Sequence, residues 1–123
     1  MSLKKFTDMD LWQVAHQMTL TIYRMTNSFP KHETYGLASQ MRRCAVSVPS
    51  NVAEGWGRRS TKDFLRHLAI ANGSVEELRY FLILAGDLAY CSQDDVAELI
   101  SNVDRIGAMI AALERSLSKR LPT

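Results

Sequence analysis

Two cysteines, three prolines and three histidines in 123 residues leave this chain poor in the residues that staple, break or metallate a small fold. Cys44 and Cys91 lie far apart, without the close spacing of metal or redox pairs, so neither a disulfide framework nor a thiolate metal site is expected. Two unpaired thiols suit a reducing cytoplasm. Long apolar runs are missing too. FLILA falls far short of the roughly 20 residues that a membrane span needs, and no apolar segment follows the charged start MSLKKFTDMD. Neither secretion nor membrane insertion is expected. A net charge of +2 names no partner, and no stretch alternates apolar and polar residues between turn signals as a half-buried strand would.

The hydrophobic residues that are present, 46% of the chain, recur at helical spacing. Leu11, Ala15, Met18, Ile22, Met25 and Phe29 form one seam, predicting a helix over about 8–28. Thr7 and Asp10 resemble a capping box at its start, and Phe29-Pro30 closes it. A second pattern covers about 34–56, with Leu37, Met41, Cys44, Val48 and Val52 facing a core. Pro49 interrupts its hydrogen bonding at the Ala45 carbonyl, so a bend is expected, with Ser47, Ser50 and Asn51 available to satisfy the loosened backbone. Gly55 and Gly57 end it.

Ser60 with Asp63 caps a third pattern over about 61–90, through Phe64, Leu68, Ala71, Val75, Leu78, Leu82, Ala85 and Ala89. Asn72-Gly73-Ser74 in its middle predicts close approach of another helix. Ser92 with Asp95 caps a fourth, about 93–119, through Val96, Leu99, Val103, Ile106, Ile110, Leu113 and Leu117. Four seams on short connections predict one all-α domain over 1–123, an antiparallel up-and-down four-helix bundle. Tyr80, Phe81, Leu84 and Leu88 add a second stripe to the third helix, and Trp12 and Trp56 add further apolar surface. Surplus apolar sides suggest subunit contacts.

Catalytic motifs are scarce. No Glu-x-x-His pair exists for a di-iron centre, and His16, His32 and His67 belong to different elements. Asp63 and His67, one turn apart, read as a surface pair or a helix-cap neighbour rather than metal ligands. Ser47, Ser50 and Cys44 have no histidine positioned by sequence to activate them, and Glu54 beside arginines reads as an ion pair. An enzyme would need Glu54, His67 and Asp63 to converge in one pocket. Gly55-Trp56-Gly57-Arg58-Arg59-Ser60 reads as a helix-to-helix turn, the alternative being a phosphate resting among Arg58, Arg59 and Lys62. No cofactor or metal is expected.

The most informative segment is Tyr35 to Phe64, where Gln40, Arg43, Ser47, Asn51, Glu54 and Arg58 form a polar stripe about five helical turns long beside the apolar one. Between Gln40 and His67 six cations face two carboxylates, whereas the remainder of the chain is net acidic. Two uses of this charge stay open. Arg43, Asn51, Glu54 and Arg58 pair within the bundle or between copies, or Arg42, Arg43, Arg58, Arg59, Lys62 and Arg66 meet a phosphate backbone. Replacing Arg59 by Ala should leave stability nearly intact if it is a surface residue.

Phe29-Pro30, Glu33, the YGL at Tyr35 to Leu37, Gln40, Arg42-Arg43, SVPSNVAEG from Ser47 to Gly55, Gly57-Arg58 and IANGSVEEL from Ile70 to Leu78 together resemble the 23S ribosomal RNA intervening-sequence protein family. The likeness extends from Trp12 nearly to the end. It implies a cytoplasmic four-helix bundle assembled as a homopentameric ring, and no known reaction. More distantly it is similar to the pentameric accessory proteins of diversity-generating retroelements, which bind nucleic acid and a reverse transcriptase. The resemblance thus implies Glu33, Gln40, Arg43, Asn51, Glu54 and Arg58 as determinants of fold or assembly, with RNA, DNA or another protein as partner.

Overall fold

The computed structural model describes residues 3–121 and contains four α-helices: α1 Asp10–Thr26, α2 Leu37–Gly57, α3 Thr61–Asp87 and α4 Gln93–Ser118. Single 3₁₀ turns precede α1 (Phe6–Asp8) and α2 (Lys31–Glu33). No strand occurs among the described residues. Each helix packs on the next and α1 closes against α4, which gives an antiparallel up-and-down bundle; the α2–α3 pair packs most closely and α1–α4 least.

The expected seams meet in one core. Ala15, Ile22, Met41, Val48, Val52, Leu68, Val75, Leu78, Leu82, Val103, Ile106 and Ile110 are fully enclosed. One seam assignment fails, at the end of α3, where Ala89 is exposed; Phe64 at its start packs on the core while partly buried. The helix stops at Asp87 because Ala89 turns left-handed (φ 61°), and the Tyr90 and Ala89 amides reach back to the Ala85 and Gly86 carbonyls. That is a Schellman ending, built on alanine where glycine is the usual choice.

Caps are as expected at two sites and not at a third. The Asp63 and Asp95 amides donate to Ser60 Oγ (3.2 Å) and Ser92 Oγ (3.1 Å). Thr7 and Asp10 form no capping box: Met9 occupies the cap of α1, and the Asp8 carboxylate instead accepts from the Lys4 and Lys5 amides, tying down the preceding turn. The start of α1 is thus set by a tight turn rather than by its own hydroxyl.

α2 runs unbroken through Pro49. The carbonyl that proline deprives of a donor, Ala45 O, is not served by Ser47, Ser50 or Asn51. Thr19 on α1 donates to it across the helix interface at 3.2 Å, sharing its proton with Ala15 O at 2.9 Å. The defect in one helix is answered by its neighbour. Nor does Gly55 end α2: it lies within the helix, and a Cβ there would stand 2.8 Å from Phe64 Cδ1 and 3.1 Å from His67 Cβ. Its small size is what lets α3 turn back so closely. Of Asn72-Gly73-Ser74, expected together at a helix contact, Ser74 makes that contact and Gly73 faces open space.

Arg79 joins α3 to α4, donating to Asp104 Oδ1 at 2.6 Å while holding Glu76 on its own helix. These polar ties and the enclosed seam position the α2–α3 face described next.

Candidate functional site

The polar side of α2 lies along α3 and forms a chain of hydrogen bonds between them. Ser74 Oγ donates to Ser47 Oγ (2.8 Å), and Asn51 Nδ2 donates to the Ser47 carbonyl (2.7 Å) and hydroxyl (3.1 Å). With its amide nitrogen so engaged, Asn51 turns Oδ1 toward His67 Nδ1 at 3.0 Å, which places a proton on that ring nitrogen. The other ring nitrogen, Nε2, lies 3.4 Å from Arg66 Nη2 and 3.6 Å from Glu54 Oε2. Glu54 in turn accepts from Arg58 at 2.7 Å.

His67 is therefore no surface neighbour of Asp63. It is 4% exposed and partnered across the interface by Asn51, while Asp63 reaches Arg66 at 3.9 Å. Sequence spacing suggested Asp63 because the two share a helix; the inter-helix partners Asn51 and Glu54 become neighbours only when α2 and α3 fold together. The hydrogen bond and charge of Arg58 hold the Glu54 carboxyl below its usual range, with His67 and Arg66 adding to it. No side-chain polar atom in the interior lacks a partner among the described residues.

The chemistry available to this chain of groups is limited. Asn51 stands between Ser47 and His67, so the hydroxyl has no base in contact. Cys44 donates to the Ser74 carbonyl at 3.0 Å, and burial, reinforced by the Glu77 carboxylate, pushes its thiol up to about 12. A thiol so protonated is no nucleophile near neutrality. Glu54 and His67 do converge, but Asp63 is linked to them only through Arg66. No group of three potential metal ligands occurs among the described residues.

The remaining expected site residues divide by occupation. Arg42 is engaged at the end of α1: Nε donates to Thr26 Oγ1 (2.7 Å), Nη2 to Asn27 Oδ1 (2.8 Å), and the guanidinium sits 5.0 Å over the Tyr23 ring. Arg58 and Arg66 are held by Glu54 and Asp63. Arg43, Arg59 and Lys62 are exposed and have no side-chain partner among the described residues; Gln40 is likewise exposed. Arg43 stands about 22 Å along α2 from Arg58 at the helical rise, so the six cations do not make one patch. Glu33 accepts from the Leu37 amide (3.2 Å) and from Tyr90 Oη (2.9 Å), which lower its carboxyl pKa and tie the start of α2 to the end of α3.

Beside the α2–α3 turn lies a cavity of about 520 Å³. Arg59 lines it together with Lys4 and Arg120, and Trp56, Phe64 and Leu117 form apolar parts of its wall. Sequence reasoning missed Lys4 and Arg120, because nothing local to either end of the chain signals that the two ends meet at this turn.

The model of the 23S rRNA-intervening sequence protein family matches residues 7–112. Among solved structures, a protein of unknown function from the S23 ribosomal protein family of Bacteroides thetaiotaomicron superposes with a TM-score of 0.79 at 17% identity, covering 85% of this chain and 95% of that one. At that identity the likeness concerns the fold. No curated protein matches the chain.

Proposed function

The chain belongs to the 23S rRNA-intervening sequence protein family, and from that premise we propose that it is a non-enzymatic cytoplasmic scaffold, self-associating into a homopentameric ring and presenting cations to RNA or DNA. The observation that carries the assembly is a pair of apolar surfaces on different sides of the bundle. Ile70 and Tyr80 on α3 and Leu88 at its C-cap are 44%, 57% and 46% exposed. Leu20 and Tyr23 on α1 and Val46 on α2 are exposed as well, Val46 lying one turn beyond the Arg42 that covers Tyr23. A closed ring with an odd number of subunits needs two unlike surfaces that fit each other, since a self-complementary patch stops at a dimer. Two separate apolar surfaces meet that requirement.

Part of the second stripe expected on α3 is used within the chain, as Phe81 is buried and Leu84 partly so. What stays outside is the share available to a neighbour. Gln40 and Arg43, exposed on the outer side of α2, are the polar groups we assign to the rim of that contact, with Glu33, Asn51, Glu54 and Arg58 supporting the helices behind it.

For nucleic acid the supporting feature is the turn end, where Arg59 and Lys62 are exposed without a side-chain partner among the described residues and Lys4 and Arg120 line the same cavity as Arg59. Binding of a single-stranded RNA measured across a salt series tests it. Affinity falling steeply with salt supports the reading, and absence of binding at low salt removes it. A second reading, a protein-partner module without nucleic-acid contact, is favoured by Arg42, Arg58 and Arg66 being held within the chain.

A further inference from the structure

We propose that the cavity beside the α2–α3 turn is a binding site for the phosphate monoester of a nucleoside, either as a free nucleotide or as the phosphorylated end of a strand. Three cations from three separated parts of the chain line it: Lys4 before α1, Arg59 in the turn and Arg120 after α4. Among the described residues no carboxylate lines it. Three exposed cations lining one concavity add their potentials there and favour the entry of an anion. By contrast the cavity between α1 and α4, about 370 Å³, is lined by charges of both signs, Arg24 with Asp95 and Glu98.

The shape and wall narrow the ligand. At about 520 Å³ the cavity falls within the range that holds small organic ligands, and exceeds what an inorganic ion requires. Trp56 and Phe64 supply aromatic surface beside the cations, the combination that receives a base next to its phosphate. A phosphate monoester carries close to two negative charges at neutral pH, and arginine offers it paired donors in a planar fork. The assignment replaces the grouping of Arg58, Arg59 and Lys62 that the sequence suggested. Arg58 is spent on Glu54, and Lys62 does not line the cavity.

The site deepens the nucleic-acid reading and rests on its cations, yet it is separable from it. The experiment is calorimetric titration of the full chain with adenosine monophosphate, adenosine, and oligothymidylates carrying a 5′-phosphate or a 5′-hydroxyl. Binding of the monophosphate but not of adenosine is expected, with loss of at least about tenfold in each of Arg59→Gln and Arg120→Gln and none in Arg24→Gln, which lies in the other cavity. Preference for the 5′-phosphorylated strand over the 5′-hydroxyl strand identifies a strand end as the ligand; monophosphate binding with no strand binding identifies a free nucleotide and removes the platform reading alone. Equal binding of both strands, with no monophosphate binding, overturns this site and leaves the platform reading in place. Monophosphate affinity unchanged in the Arg59→Gln/Arg120→Gln double variant, with its melting temperature also unchanged, likewise overturns it.

Discussion

Among the described residues Ala89 and Arg59 carry left-handed backbones, at φ 61° and 58°, and no glycine does. A Cβ costs roughly 1–2 kcal/mol in that conformation, so Ala89→Gly is expected to raise stability by about 1 kcal/mol, read as a higher denaturant midpoint at unchanged slope. Deep in the seam, Leu78 is fully enclosed, and Leu78→Ala is expected to cost about 2–5 kcal/mol in the same measurement. Acid sensitivity follows from Glu33. Its carboxyl pKa is lower in the folded chain than its ordinary value of 4.5, because the Leu37 amide and Tyr90 hydroxyl donate to the ionised form. Its stabilisation is therefore complete above the unfolded value and is lost as pH falls through the lower, folded one. Tyr90→Phe, which removes one of those donors, should flatten this acid limb; a melting curve against pH with an unchanged acid slope would exclude Glu33 as a contributor.

Within and between helices, the decisive features are places where one element repairs or accommodates another. Thr19 serves the carbonyl orphaned by Pro49, so Thr19→Val is expected to cost about 1–3 kcal/mol, the penalty of an unmet buried acceptor. In a Pro49→Ala background the restored amide takes over that carbonyl, and the cost of Thr19→Val should shrink. A double-mutant cycle with no coupling would refute the link. Glycines separate the same way: Gly55→Ala should destabilise by about 1–3 kcal/mol through its clash with Phe64, while Gly73→Ala, open to solvent, should stabilise by up to about 1 kcal/mol. The sequence made the helices and most of the core legible, since Val48, Leu78 and Ile106 recur with a period that only one folded side satisfies. It misassigned Gly55, Gly73 and His67 and left Thr19 unread, because their roles depend on which residue of another helix comes opposite, and periodicity within one helix holds no such information. Lys4 and Arg120 were hidden for the same reason on a longer scale.

On the scale of the whole molecule, an enclosed core coexists with two exposed apolar surfaces and an unbalanced cluster of cations at one end. The first gives a chain of 123 residues enough buried apolar surface to fold around one interior. The proposed assembly of copies, with Ile70, Tyr80 and Leu88 set against Leu20, Tyr23 and Val46, would cover the apolar side chains that are exposed in a single chain. The most direct test is the mass of the purified protein in solution, by light scattering behind a sizing column at micromolar concentration. With 13.9 kDa per copy, a ring of five gives about 70 kDa, and Tyr80→Glu should shift it toward the single chain without loss of helicity. A stable 13.9 kDa particle across the concentration range would contradict the account.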